Sequence, residues 1–196
     1  MFDRVRYEVK NQLYQFKGQL QRIFGKIFGE KTAAPERYNF LVVCTGNTCR
    51  SPMAMSILRF LKREGGDGAF IAGIESAGLA VTEHAAAKNA VEIAKDYGCD
   101  LTLHYPQQLN QAMVDWADYI LTMDAGSSKK VRERFPTAVT KVMTMAVFGV
   151  ETGSVLDPYG GDIELYHKTA MQMEKLLRKG LDEMGEDKAS RSQDCP

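Results

Sequence analysis

FLVVCTGNTCRSPM, residues Phe40 to Met53, carries a strand, a loop and a helix start in one unbroken run. Phe40, Leu41, Val42 and Val43 are apolar without alternation, the pattern of a strand buried on both faces of a parallel sheet. The run stops at Cys44. From Cys44 to Arg50 the spacing is C-x5-R, a loop of the size that wraps one tetrahedral anion, and Gly46 and Asn47 tolerate the positive φ such a wrap requires. Ser51 is expected to cap the following helix and Pro52 to take its first position. That helix then aims its positive end and unpaired N–H groups into the loop, which makes an anion site.

The loop places a thiol and a guanidinium at this site. A helix N-terminus and a neighbouring arginine are the surroundings that favour a thiolate, so Cys44 is the expected nucleophile. Arg50 presents a planar fork of donors that holds two oxygens of a phosphoryl group, more strongly as charge spreads in transfer. Ser51 is placed to donate to the sulfur, while Thr45, Gly46, Asn47, Thr48 and Cys49 supply the loop that surrounds the phosphoryl oxygens. The chemistry that fits is displacement at phosphorus through a cysteinyl-phosphate.

VCTGNTCRSPMA closely resembles the phosphate-binding loop of the low-molecular-weight protein tyrosine phosphatases, and VLDPYGGDIELY resembles their general-acid loop. The resemblance runs from about Tyr38 to Gly180, with both motifs in the family's order. It implies metal-independent, cofactor-free hydrolysis of a phosphorylated protein side chain, with Asp157 as proton donor and Tyr159 on the pocket wall. It also implies that His104 braces the phosphate loop through Asn47. Where many relatives carry two tyrosines after Asp-Pro, this chain has Tyr159 and Gly160. Thr48 stands where the tyrosine-specific branch commonly has isoleucine, and CTGNTCR with Asp-Pro-aromatic-Gly-Gly resembles the protein arginine phosphatases of the family. Phosphotyrosine and phosphoarginine both stay open as substrates.

Two rival readings use the same residues. Thioredoxin-coupled arsenate reductases resemble CTGNTCRSPM but add two downstream cysteines as a redox relay; here only Cys99 and Cys195 follow, widely spaced. The other rival is a phosphopeptide-binding module without turnover, against which an intact Cys44, Arg50 and Asp157 argue.

The 196 residues suit one domain with an appendage. With 25 basic and 25 acidic residues there is no global field to attract nucleic acid. The four cysteines lack metal-ligand spacing and form no disulfide framework. A reduced cytoplasm suits them, and Cys49 is placed to trap an oxidised Cys44. No secretory signal is read at the N-terminus, and the longest apolar runs fall well short of the ~18 residues that cross a bilayer.

Residues 1–28 repeat apolar side chains at three- and four-residue spacing, from Phe2 and Val5 to Ile23 and Ile27. Six basic residues against two acidic leave this amphipathic helix a net charge of plus four. It suits an anionic membrane surface, self-association or packing on its own domain, and Gly29 to Arg37 reads as its linker. Residues 38–184 are expected to hold the catalytic domain and 185–196 a disordered tail. Within the domain, helices are expected at Ser51–Lys62, Ala85–Tyr97, Met113–Ala117, Gly126–Phe135 and Ile163–Leu181. They alternate with strands at Phe70–Glu75, Tyr119–Met123 and Lys141–Met145. This predicts an α/β three-layer sandwich around a four-stranded parallel sheet, the flavodoxin-like phosphatase fold, with its ligand at the carboxyl ends of the strands. His84 and His167 read as surface or capping residues, Trp116 as core, and Asp124 as a tie between loops.

Overall fold

The apolar run before Cys44 divides its side chains between two cores. Phe40 and Val42 pack in one, Leu41 and Val43 in the other, and all four are buried. This is the consequence of a strand with helices on both sides. The structure, a computed structural model, describes residues 37–193, so the amphipathic helix expected over residues 1–28 and nearly all of its linker lie outside the described residues.

Strand β1 (Tyr38–Cys44) leads through helix α1 (Arg50–Glu64) and a 3-10 turn (Gly66–Phe70) to β2 (Ile71–Gly78). Helices α2 (Lys88–Asp96) and α3 (Gln111–Trp116) precede β3 (Tyr119–Thr122), and α4 (Ala125–Arg134) precedes β4 (Val142–Thr144). Short α5 (Met145–Phe148) and long α6 (Ile163–Gln193) complete the order. The sheet is parallel in the order β2-β1-β3-β4. From β1 the chain moves out to β2 and then returns past β1 to β3. The carboxyl end of β1 is therefore the switch point at which such sheets bind ligands, and Cys44 is its last residue.

One face is covered by α1, α5 and α6 over Met53, Ile57, Leu58, Phe148, Met173 and Leu177; the other by α3 and α4 over Val114, Val131 and Phe135. A smaller cluster of Met55, Ala94 and Leu101 fixes the turns around α2 to α1.

Several boundaries differ from the expectations. Helix α1 begins at Arg50, with Cys49 before it and no side-chain cap. Ser51 and Pro52 thus sit inside the first turn, because the Ser51 hydroxyl is drawn to the thiol of Cys44 and away from the capping role. Helix α2 starts three residues later than expected, since Ala85 lies in a bend and Ala87 is extended, its N–H given to the Thr48 carbonyl of the phosphate loop. Helix α6 runs on past Leu181 to Gln193, through most of the segment expected to be a disordered tail. The stretch holds good helix formers and no proline before 196. Its inner face is Tyr166, Ala170, Met173, Leu177 and Leu181, whereas Ile163, expected there, is 39% exposed. Trp116, expected in the core, is 38% exposed and lies over Gly73, where a β-carbon would come within 2.6 Å of the ring. Among the described residues no helix is long and apolar enough to cross a membrane.

Candidate active site

Asn47 organises the phosphate loop. Its φ of 56° lies in the left-handed region that asparagine tolerates better than most residues, and every polar group it owns is engaged. The backbone N–H donates to Cys44 Sγ at 3.2 Å. Its side-chain NH2 donates to Ser51 Oγ and Ser76 Oγ, both at 2.9 Å, and its Oδ1 accepts from Gln107 N at 2.8 Å. The Asn47 carbonyl accepts from His104 Nε2 at 2.9 Å. That fixes the protonated nitrogen of His104, and burial holds its pKa below the ordinary 6.5.

Ser51 Oγ lies 3.0 Å from Cys44 Sγ and 3.4 Å from the Ala77 carbonyl. With one lone pair taken by Asn47, its proton goes to the nearer partner, so Ser51 O–H and Asn47 N–H both aim at the sulfur. Cys44 is 3% exposed and Arg50 8%. Among the described residues no protein acceptor takes the N–H groups of Thr48, Cys49 or Arg50, which leaves donors for an anion.

The guanidinium of Arg50 pairs across the mouth with Asp157, Nη2 to Oδ2 at 2.7 Å, and the Asp157 side chain is 54% exposed. The loop between α5 and α6 is tied down on both sides of this carboxylate. Val155 N donates to the Met123 carbonyl at 2.9 Å, Leu156 N to Gln172 Oε1 at 2.9 Å, and Asn89 Nδ2 to the Gly161 carbonyl at 3.3 Å. Val155 and Pro158 are buried. Asp157 needs no swing to reach the phosphate loop. Tyr159, beside it, is 70% exposed and donates its N–H to Asp157 Oδ1 at 3.2 Å.

Thr48 is 6% exposed, with Oγ1 3.5 Å from Cys49 Sγ. Cys49 is buried and turns its sulfur to Tyr166 Oη at 3.2 Å, and burial raises the Tyr166 hydroxyl above its usual pKa. Asp124, expected to tie loops, instead caps α4 by accepting from Ser127 N at 2.7 Å and Ser127 Oγ at 3.0 Å.

Sequence reasoning missed Ser76, Gln107, Tyr166 and the role of Gly78. At Gly78 a β-carbon would meet the Thr45 carbonyl oxygen at 2.9 Å, so only glycine lets β2 pass this close to the loop. The signal available was the Ser76-Ala77-Gly78 turn; nothing in the sequence marks Gln107 or Tyr166, whose partners lie 60 and 117 positions away.

The sequence profile of the low molecular weight phosphotyrosine protein phosphatases matches residues 39–190. The chain belongs to this family. It is 37% identical over 142 residues to the protein-arginine-phosphatase of Geobacillus stearothermophilus, covering 71% of this chain and 91% of that protein. The protein-arginine-phosphatase of Bacillus subtilis is 31% identical, with 76% and 99% covered. The low molecular weight protein-tyrosine-phosphatase PtpB of Staphylococcus aureus is 33% identical, with 71% and 94% covered. Among solved structures, the YwlE arginine phosphatase from Geobacillus stearothermophilus superposes with a TM-score of 0.68 at 31% identity, covering 78% of this chain and 96% of that one. The chain is thus a phosphatase of phosphorylated proteins, and neither rival reading is favoured. Of the two downstream cysteines a reductase relay would need, Cys99 lies against Ser56 and Arg63 of α1, and Cys195 lies outside the described residues.

Proposed function

We propose that this phosphatase works by two displacements and accepts phosphoarginine on proteins. Cys44 Sγ attacks phosphorus, the S–P bond forms as the P–N bond breaks, and Asp157 gives its proton to the leaving guanidine nitrogen. Water then attacks the cysteinyl-phosphate with Asp157 taking its proton, and phosphate and the Cys44 sulfur are released. Arg50 and the loop amides hold the equatorial oxygens throughout. A thiol nucleophile of this kind suits a reducing compartment, which supports a cytoplasmic location.

One observation carries the arginine reading. Asp157 already binds a guanidinium, that of Arg50, at the mouth of the loop. Once Arg50 turns to the phosphoryl oxygens, a protonated Asp157 so placed faces the substrate guanidine, accepting a hydrogen bond on one oxygen and holding on the other the proton it gives to the leaving nitrogen. Thr48, small and tucked against Cys49, leaves space beside the phosphoryl group for a branched leaving group. The exposed ring of Tyr159 supports phosphotyrosine as the second reading, because it offers one aromatic wall beside Asp157.

Wild type is expected to hydrolyse phosphoarginine, and Thr48→Ile to shift the kcat/KM ratio toward phosphotyrosine. A side-chain difference of this size is worth only ~1–3 kcal/mol, so the shift is a preference of about ten- to a hundredfold. Absence of phosphoarginine turnover in wild type, or an unmoved ratio, returns the chain to the phosphotyrosine reading.

A further inference from the structure

The segment between β2 and α2 forms an arch whose feet stand on the phosphate loop. Leu79 N donates to the Cys44 carbonyl at 3.0 Å and Ala80 N to the Thr45 carbonyl at 2.9 Å. At the far foot Ala87 N donates to the Thr48 carbonyl at 2.9 Å. At the crown, His84 lays its ring against Tyr105, with centroids 6.2 Å apart and planes 25° from parallel. Tyr105 is itself fixed to the site, because the preceding His104 bonds the Asn47 carbonyl. Gln108 braces the two segments together: its Nε2 donates to the Gly78 and Leu79 carbonyls at 3.1 and 2.9 Å, and its Oε1 accepts from Val81 N at 3.1 Å.

This framework holds large side chains out to solvent. Tyr105 is 65% exposed and Leu103, two residues before it, 95%. Single exposed apolar residues need no explanation, but an exposed aromatic pair with a leucine on a braced rim of an active site does. Charges stand around this rim as well: Glu83 and Lys88 are exposed, Arg134 donates to the Leu79 carbonyl at 3.5 Å, and the charge of Arg59 acts on His104.

We propose that the His84–Tyr105 pair, with Leu103, is the docking wall for an apolar or aromatic side chain next to the phosphorylated residue of the protein substrate. Resting on the phosphatase reading, this adds the sequence context that the enzyme selects. The occupant follows from continuity with the site. A phosphoryl group seated over Cys44 brings the substrate's main chain out over the loop on which both the arch and the Arg50–Asp157 pair stand. Stacked rings held in place before binding give up little side-chain entropy when a neighbour covers them, which is how aromatic residues become strong contributors at interfaces.

The test uses the full chain and phosphopeptides, tyrosine- and arginine-phosphorylated, that differ only in the residues flanking the phosphorylated one: Gly, Leu, Trp, Asp or Arg. Wild type is expected to favour Leu and Trp over Gly by about tenfold in kcat/KM, carried by KM. The double variant His84→Ala, Tyr105→Ala is expected to lose that preference while hydrolysing para-nitrophenyl phosphate at the wild-type rate. Tyr105→Phe, which keeps the stack, should retain the preference, and Leu103→Ser should weaken it independently. A flat series in wild type overturns the proposal, as does a preference for Asp or Arg alone, or a Leu and Trp preference that survives the double variant. If wild type fails to hydrolyse para-nitrophenyl phosphate, it is the phosphatase reading that falls.

Discussion

In the proposed mechanism Asp157 has two tasks at one position: its carboxylate occupies the guanidinium of Arg50 at rest, and its protonated form supplies the proton to the leaving group in turnover. The resting pair is weak: with more than half of the Asp157 side chain exposed, such a contact contributes roughly 0.2–1 kcal/mol. A phosphoryl dianion that gains several charge-assisted hydrogen bonds, each about 1.5–3 kcal/mol, displaces it without difficulty. Asp157→Asn removes both the competitor and the proton. Hydrolysis of esters with poor leaving groups is expected to fall by roughly 10²–10⁴-fold, activated aryl phosphates by far less. Orthovanadate should bind at least as tightly as to wild type. A plot of rate against leaving-group pKa, with vanadate titrations of both proteins, checks this; equal losses across the series, or weaker vanadate binding, would remove Asp157 from the role. At this scale the sequence was readable where one residue type answers one need: Cys44, Arg50 and the left-handed Asn47. It was unreadable where identity is generic, as at Gln107, which contributes only a backbone N–H to the Asn47 side chain.

Between α5 and α6 the element scale decides where Asp157 stands. Gly180 of α6 lies so close to α5 that a β-carbon there would fall 2.2 Å from the Phe148 ring, and at Gly149 it would meet the Leu176 backbone at 2.7 Å. The two helices touch through glycines, and the loop carrying Asp157 spans their ends. Gly180→Ala should therefore push α6 away from α5, with an overpacking cost of about 1–3 kcal/mol. Because Gln172 of α6 holds the loop at Leu156, kcat should fall with the displacement while phosphate binding holds. Denaturant midpoints and steady-state kinetics measure the two effects; unchanged stability would mean that the helices tolerate the extra carbon. Strand and helix order were legible because periodicity reports burial. The close approach at Gly180 was not, since one glycine in an amphipathic helix reads only as a weak spot. The pinned loop escaped for a related reason: glycines suggest freedom, whereas Val155 and Pro158 are anchored by a core that only the folded chain assembles.

Across the whole molecule, the site draws on two stretches of very different reach. Cys44, Asn47, Ser51, Ser76, His104 and Gln107 all lie within the first β-α-β unit and the segments that follow it, and their hydrogen bonds hold the Cys44–Asn47 part of the phosphate loop, while Cys49 of the same loop reaches on to Tyr166 of the last helix. Asp157 is positioned by Met123 and by Gln172, the latter on the last helix. Contacts of short sequence separation close early because the loop entropy they must overcome is small, and those of long separation close late. The Arg50–Asp157 pair, joining positions far apart in the chain, thus marks the completion of folding. During refolding, oxyanion capture is expected to return before hydrolysis does. Stopped-flow refolding read in parallel by vanadate binding and by product formation would display the lag, and coincident recovery would mean that the two halves of the site assemble as one cooperative unit.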